Sequence, residues 1–184
     1  MTLKQNTNNN HKSNMANNNQ IQFTDNDYKI IPGVGFSKVK FGIKKEQLIE
    51  LMGQPDEIEE DANYGDSLED KVTVLYYDTD GFSVSFDKEA NYRLTEISFE
   101  SDLFILEDCV KVGMTTEEAL KALEKAGYDE PSLEDLEGEI DPNDKTEAYT
   151  YDDMNITLWF DDNILQTIQM GPFWLDSDTI KWPK

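Results

Sequence analysis

Thirty-nine carboxylates, one histidine and one cysteine define the chemistry open to this 184-residue chain. His11 lies in TNNNHKSNMANNNQ, away from any partner base or ligand. Cys109 sits beside Val110 at an apolar junction, where a lone thiol packs as a small hydrophobe. Histidine triads, His/Cys metal centres and intrachain disulfides are thereby excluded. Carboxylate pairs remain, in DDNI (161–164), YDDM (151–154) and DKEANY (87–92). Two carboxylates can cleave a glycosidic bond, and oxygen clusters can hold a divalent cation. The same positions are hairpin turns, where Asp and Asn are favoured for backbone hydrogen bonding and unusual dihedrals.

The run DPNDKTEAY, Asp141 to Tyr149, places oxygen ligands at alternate positions, with Asp141, Asn143 and Glu147 as candidates. It lacks the central glycine and distant glutamate of a calcium loop. GVGFSK lacks the rest of a phosphate loop, and the nucleophile-elbow and dinucleotide motifs are absent. The expectation is no enzyme, no cofactor and no metal, with a carboxylate-based hydrolase as a distant alternative.

The formal net charge of -23 and a pI near 4.1 oppose direct binding to nucleic acid or to an acidic membrane surface. They suit a highly soluble protein, or one whose partner is basic and is drawn in by the opposite field. Residues 1–20 carry no apolar signal region and no stretch approaches membrane-span length, so the expected location is cytoplasmic.

These side chains need elements to hold them. Residues 1–22 are rich in asparagine and poor in apolar groups, which predicts a disordered tail. FGIKKEQLIELMGQP predicts a helix over 45–52, with Leu48, Ile49 and Met52 inward and Gly53 as its stop. VGMTTEEALKALEKAG predicts a second over 116–126, opened by a Thr115/Glu118 capping box and closed by Gly127. After each helix comes an acidic stretch and then strands. Val72, Val74 and Tyr76 alternate, as do Phe82, Val84 and Phe86, then Thr95, Ile97 and Phe99. Ile156, Leu158 and Phe160 answer the middle set, and Ile168 and Met170 the last. The pairs Ile49/Leu120, Phe86/Phe160 and Ile97/Ile168 read as a duplication. The expected fold is α+β: two tandem helix-plus-three-strand antiparallel units, over 23–110 and 111–184, the second with a C-terminal extension. Helices would pack on one side of the sheets and leave the other face open.

Both acidic stretches carry eight carboxylates, between Asp56 and Asp70 and between Asp129 and Asp144. They are solvated loops or an acidic rim facing a basic partner. Trp159 falls on the strand face opposite Phe160, either open for contact or covered by the C-terminal GPFWLDSDTIKWP. With Tyr149 and Tyr151 it forms the candidate aromatic centre of a protein-binding patch. Glu57, Glu59, Glu60 and Asp61 on one side, and Glu134, Asp135 and Glu137 on the other, form its candidate rim.

The segments VKFGIKKEQLIELMGQPDEIE, YYDTDGFSVSF and LTEISF resemble the helix-then-meander repeat of SmpA/OmlA-like and beta-lactamase-inhibitor-protein-like domains. Gly42, Leu48, Gly53, Pro55, Phe82, Phe86 and Ile97 fall on the pattern, while KAGYDEP replaces GQPDE in the second half. The resemblance covers about residues 33–175 and implies a scaffold for protein–protein contacts. Similar domains occur among bacterial toxin-immunity proteins, which are small, acidic and cytoplasmic. The lipoprotein signal and lipidated cysteine of SmpA/OmlA members are absent, which argues against outer-membrane assembly. The function implied is immunity-like inhibition of a basic toxin, such as a nuclease, by occlusion. The alternative is a structural or regulatory interaction module with no toxin partner.

Overall fold

The computed structural model describes residues 23–63, 71–136 and 144–184. The asparagine-rich segment 1–22, Glu137, Asp141 and Asn143 lie outside the described residues. The chain runs through β1 (Lys29–Ile31), β2 (Gly35–Phe36), β3 (Val39–Lys40), α1 (Lys45–Met52), β4 (Glu57–Asn63), β5 (Lys71–Tyr77), β6 (Phe82–Asp87) and β7 (Arg93–Phe99). It continues through β8 (Ile105–Leu106), α2 (Thr116–Ala126), β9 (Ser132–Leu133), β10 (Thr146–Tyr151), β11 (Ile156–Asp161), β12 (Ile164–Met170), β13 (Phe173–Asp176) and β14 (Thr179–Lys181).

Both helices occupy their expected ranges. α1 buries Leu48 and ends at Gly53, whose N–H donates to the Ile49 carbonyl at positive φ, a conformation open to glycine. At the start of α2 the Glu118 N–H donates to the Thr115 hydroxyl while the Thr115 N–H donates to the Glu118 carboxylate. This reciprocal pairing satisfies two donors that the first turn leaves without helical partners. The similar openings before the helices have one job. Gly42 N–H donates to Leu94 O and Leu94 N–H to Ile43 O, each at 2.9 Å; Gly113 N–H donates to Leu165 O and Leu165 N–H to Met114 O, each at 2.8 Å. Each opening thus ties a helix to the start of a central strand.

The expected two tandem helix-plus-three-strand units are not what forms. The described residues build one eight-stranded antiparallel sheet, ordered β4-β5-β6-β7-β12-β11-β10-β9, a separate four-stranded sheet, β3-β2-β1-β8, and the β13–β14 hairpin. The difference has two causes. β7 and β12 pair directly, Phe99 with Ile168 and Ile97 with Met170, which merges the strands into one sheet. The acidic stretches supply additional strands: β4 pairs with β5, and the short β9 with β10. The four-stranded sheet is mixed, because β1 runs parallel to β8.

One core fills the space between the eight-stranded sheet, both helices and the small sheet. Its aromatic centre is Phe36, with edge contacts to Phe82, Phe99 and Phe104 at 5.0–5.4 Å between ring centroids. Among the described residues no helix is long and apolar enough to cross a membrane.

Candidate functional site

The opposite face of the eight-stranded sheet has neither helix packed on it. Strand alternation decides what it shows. On β5 the inward set is Thr73, Leu75 and Tyr77, paired across to Phe86, Val84 and Phe82. Val72, Val74 and Tyr76, read from sequence as an alternating apolar set, therefore form a stripe on the face away from the helices, with Val72 and Tyr76 half-buried and Val74 buried. Ser85 stands opposite Val74 and Ser83 opposite Tyr76.

Two of the three register shifts among the described residues of this sheet shape the middle of the face. Between Ser85 and Phe86 the register with β7 shifts, so Glu96 pairs with Ser85 and Leu94 with Phe86, leaving Thr95 as the extra residue. Between Trp159 and Phe160 it shifts on β12, so Thr167 pairs with Trp159 and Leu165 with Phe160, leaving Gln166 extra. A bulge lets inward side chains sit three residues apart instead of two. Leu94 and Ile97 are both buried in the core, as are Leu165 and Ile168. Thr95 is therefore not part of the inward set with Ile97 and Phe99, contrary to its sequence reading.

The bulges bring four polar groups into one line across β6, β7, β12 and β11. The Trp159 indole N–H donates to the Gln169 side-chain carbonyl at 2.5 Å. Glu96 is hydrogen-bonded to the Gln169 side chain and accepts a long bond from the Ser85 hydroxyl at 3.5 Å. Glu96 is half-buried, and burial pushes its carboxyl above the usual carboxylate range, partly offset by the bonds from Gln169 and Ser85.

The C-terminal hairpin roofs part of this face. Trp174 of β13 lines a cleft of about 430 Å³ with the Val72, Val74 and Tyr76 stripe, Ser83, Ser85, Asp87, Thr95 and Glu96. Trp174 is 50% exposed and its neighbour Leu175 is 65% exposed. The end of the chain is anchored from below. The Trp182 ring lies against Gly42, where an added Cβ would approach to 2.8 Å, and the Arg93 guanidinium stands 5.7 Å from the centre of the same ring. Phe173 lies against Gly33, where a Cβ would come within 2.5 Å.

The residues expected to bind a partner divide between places. Trp159 lies on the open face, half-buried. Tyr149 and Tyr151 point to the helix side: Tyr149 packs edge-on against Phe160 and Tyr151 against Tyr128. They do not join Trp159 in one patch, because residues 149 and 151 face Leu158 and Ile156, the inward set of β11. Burial pushes the Tyr151 phenol up to about 12. Together with Tyr128, Tyr151 lines a separate recess of about 460 Å³ that includes Glu107, Asp152 and Asp153.

Glu57 and Glu59 of β4 pair with Tyr76 and Val74 of β5 and so flank the open face; the Tyr76 hydroxyl donates to Glu59 at 3.3 Å. Glu60 instead pairs with Lys45 of α1 at 2.8 Å. Asp61 continues β4, while Glu134 and Asp135 are exposed just after β9, at the far edge of the sheet. The described parts of the acidic stretches, β4 and the residues around β9, thus lie at opposite edges, where charge also discourages strand pairing with other chains. Glu96 and Gln169 were not read from sequence as site residues. The three-residue spacing of Leu94 from Ile97, and of Leu165 from Ile168, was the available signal. Among the described residues no cluster of His, Cys, Asp and Glu is placed to hold a metal ion.

No family model matches the chain, and no curated protein does. Among solved structures, it is similar to a DUF4309 family protein, YjgB, from Bacillus subtilis subsp. subtilis str. 168, with 16% identity and a TM-score of 0.41 over 76% of this chain and 82% of that one. It is also similar to an extracellular protein containing a SCP domain from Bacillus anthracis str. Ames, with 13% identity and a TM-score of 0.39 over 94% of this chain. The match spans 50% of that second protein's length.

Proposed function

We propose that this chain is a non-catalytic binding protein that engages a basic protein partner through the open face of its eight-stranded sheet, in the manner of an immunity-type inhibitor that occludes a toxin. The observation that carries the reading is the composition of that face. It combines an apolar stripe, two tryptophans and a half-buried carboxylate, with Glu57 and Glu59 along one edge. Aromatic anchors beside desolvated polar groups are what protein interfaces concentrate at their centres. The net charge of -23 would speed encounter with a positively charged surface. The resemblance of residues 33–175 to protein-binding domains is in keeping with this.

The test begins by isolating a partner from the native host and reconstituting the complex from purified components. Binding is then compared between the natural chain and Thr157→Arg at two ionic strengths. Thr157 lies on the open face, opposite Gln169 and within 3.0 Å of the Thr150 hydroxyl, so arginine there adds bulk and positive charge without entering the core. The expected result is at least tenfold weaker binding. An acidic partner, or unchanged affinity in the folded variant, overturns the reading.

A further inference from the structure

Within that face the cleft beneath Trp174 has a particular chemistry. Its lining mixes Val72, Tyr76, the indole and a nearly covered Val74 with the hydroxyls of Ser83, Ser85 and Thr95, while Glu96 presents a carboxylate and Asp87 lines the same cleft. None of the residues lining it is a lysine or arginine. Glu96 is held by two neutral donors, Gln169 and Ser85, and forms no ion pair among the described residues. Neutral donors fix the carboxylate's position without cancelling its charge. A half-buried anion with no counter-charge beside it is costly until a cation joins it, and the attraction is then stronger than in water.

We infer that this cleft receives one arginine side chain of the basic partner, with its aliphatic stem along Val72 and Tyr76 and its guanidinium between the Trp174 ring and Glu96. The inference rests on the partner-binding reading and names the group that the face recognises. Three features match a guanidinium. Its stem is apolar over several carbons and packs on apolar surface such as that of Val72 and Tyr76. Its plane stacks on an indole more favourably than an ammonium does. Its forked donors pair with a carboxylate, as Glu96 would allow once the Ser85 bond, already long at 3.5 Å, gives way. Trp174 lies on a two-stranded hairpin at the end of the chain and is half exposed, so its ring can adjust over an entering side chain.

The experiment titrates the full chain with a hexaarginine peptide, and separately with hexacitrulline, which has nearly the same shape and no charge. Titrations are run in roughly 0.5 M salt, where exposed charges are largely screened. The readouts are affinity and the indole N–H resonances of Trp174 and Trp159. Hexaarginine should shift the Trp174 signal, and hexacitrulline should bind at least tenfold more weakly. Glu96→Gln and Trp174→Ala should each weaken hexaarginine binding at least tenfold, whereas Glu124→Gln on the exposed side of α2 should change it less than twofold. Trp174 is half exposed and Glu96→Gln removes a desolvated charge, so both variants are expected to fold. Equal binding of the two peptides, a stationary Trp174 signal, or unchanged binding by either cleft variant overturns the inference.

The partner complex separates this inference from the reading beneath it. If Thr157→Arg abolishes partner binding and Glu96→Gln does not, the arginine receptor is wrong and the open-face reading stands. If partner binding survives Thr157→Arg while hexaarginine still requires Glu96 and Trp174, the receptor stands and the open-face reading fails.

Discussion

At the β6–β7 hairpin a bulge sets Thr95 and Glu96 against Ser85, and the small hydroxyl leaves Glu96 accessible from a cleft. At the β11–β12 hairpin a bulge in the same place sets Gln166 and Thr167 against Trp159, where an indole takes the position of the hydroxyl. Beneath both, the inward residues match: Phe86 and Leu94 in one, Phe160 and Leu165 in the other, all buried. The buried side of each bulge meets the same packing demand and carries the same residue types. The exposed side has no such demand, and there one hairpin carries a carboxylate and the other a bulky aromatic. The two are joined across the β7–β12 seam by Gln169, which bonds both Trp159 and Glu96.

The largest expected effect tests the shared half of this comparison. Phe86→Ala and Phe160→Ala should each cost about 3–5 kcal/mol, as for a large aromatic lost from a close-packed core. Urea unfolding measures both, and a cost below about 1 kcal/mol for either would show that the two bulges are not packed alike. Next in size is an exchange of the exposed halves. Ser85→Trp should place an indole in the first cleft as Trp159 does in the second hairpin, and lower hexaarginine affinity at least tenfold, or about 1.4 kcal/mol. Retained affinity in that variant would mean that the space above Ser85 is not where the ligand enters.

A smaller change isolates the seam. Trp159→Phe keeps a ring but removes the donor to Gln169, and should cost about 1 kcal/mol, the net value of one such bond. Chemical denaturation reads the loss, and a variant as stable as the natural chain would reduce the Trp159–Gln169 contact to a bystander.

The smallest effect concerns proton linkage. Glu96 has its carboxyl raised above the ordinary value of 4.5 because burial disfavours the charged form. The folded state therefore holds that proton more tightly than the unfolded state. Its stabilising contribution is full below the unfolded value and is lost as pH rises through the folded one. Glu96→Gln should accordingly gain stability relative to the natural chain as pH climbs from about 4.5 towards neutrality, with little gain below. Melting curves from pH 3 to pH 7 check this, and a gain that grows toward acid instead would reverse the assigned cause.

Much of the local structure was legible. Leu48 and Gly53, and Thr115, Glu118 and Gly127, marked both helices because caps and one buried stripe are set by neighbours in the chain. The strand ranges around Phe82–Phe86 and Ile156–Phe160 were legible from clean alternation. β5 was misread because VTVLYY is apolar at both phases, so alternation alone could not say which side met the core. The edge strands were hidden because EIEEDAN is acidic and resembles a loop. Its pairing with β5 comes from backbone hydrogen bonds, which depend little on side-chain type. The misplacement of Tyr149 and Tyr151 followed from reading nearness in the chain as nearness in space.

The sequence by itself determined the scarcity of histidine and cysteine, the acidic field, both helices and most of the strands. These depend on composition or on residues a few positions apart. Tertiary structure alone decided that β7 would pair with β12, joining Glu96 to Gln169 and Trp159, and that the C-terminal hairpin would bring Trp174 into one cleft with Val74 and Ser85. Alternation gives each strand two faces, but only the packing of distant segments determines which face is covered. The candidate site formed on the face where neither helix was packed.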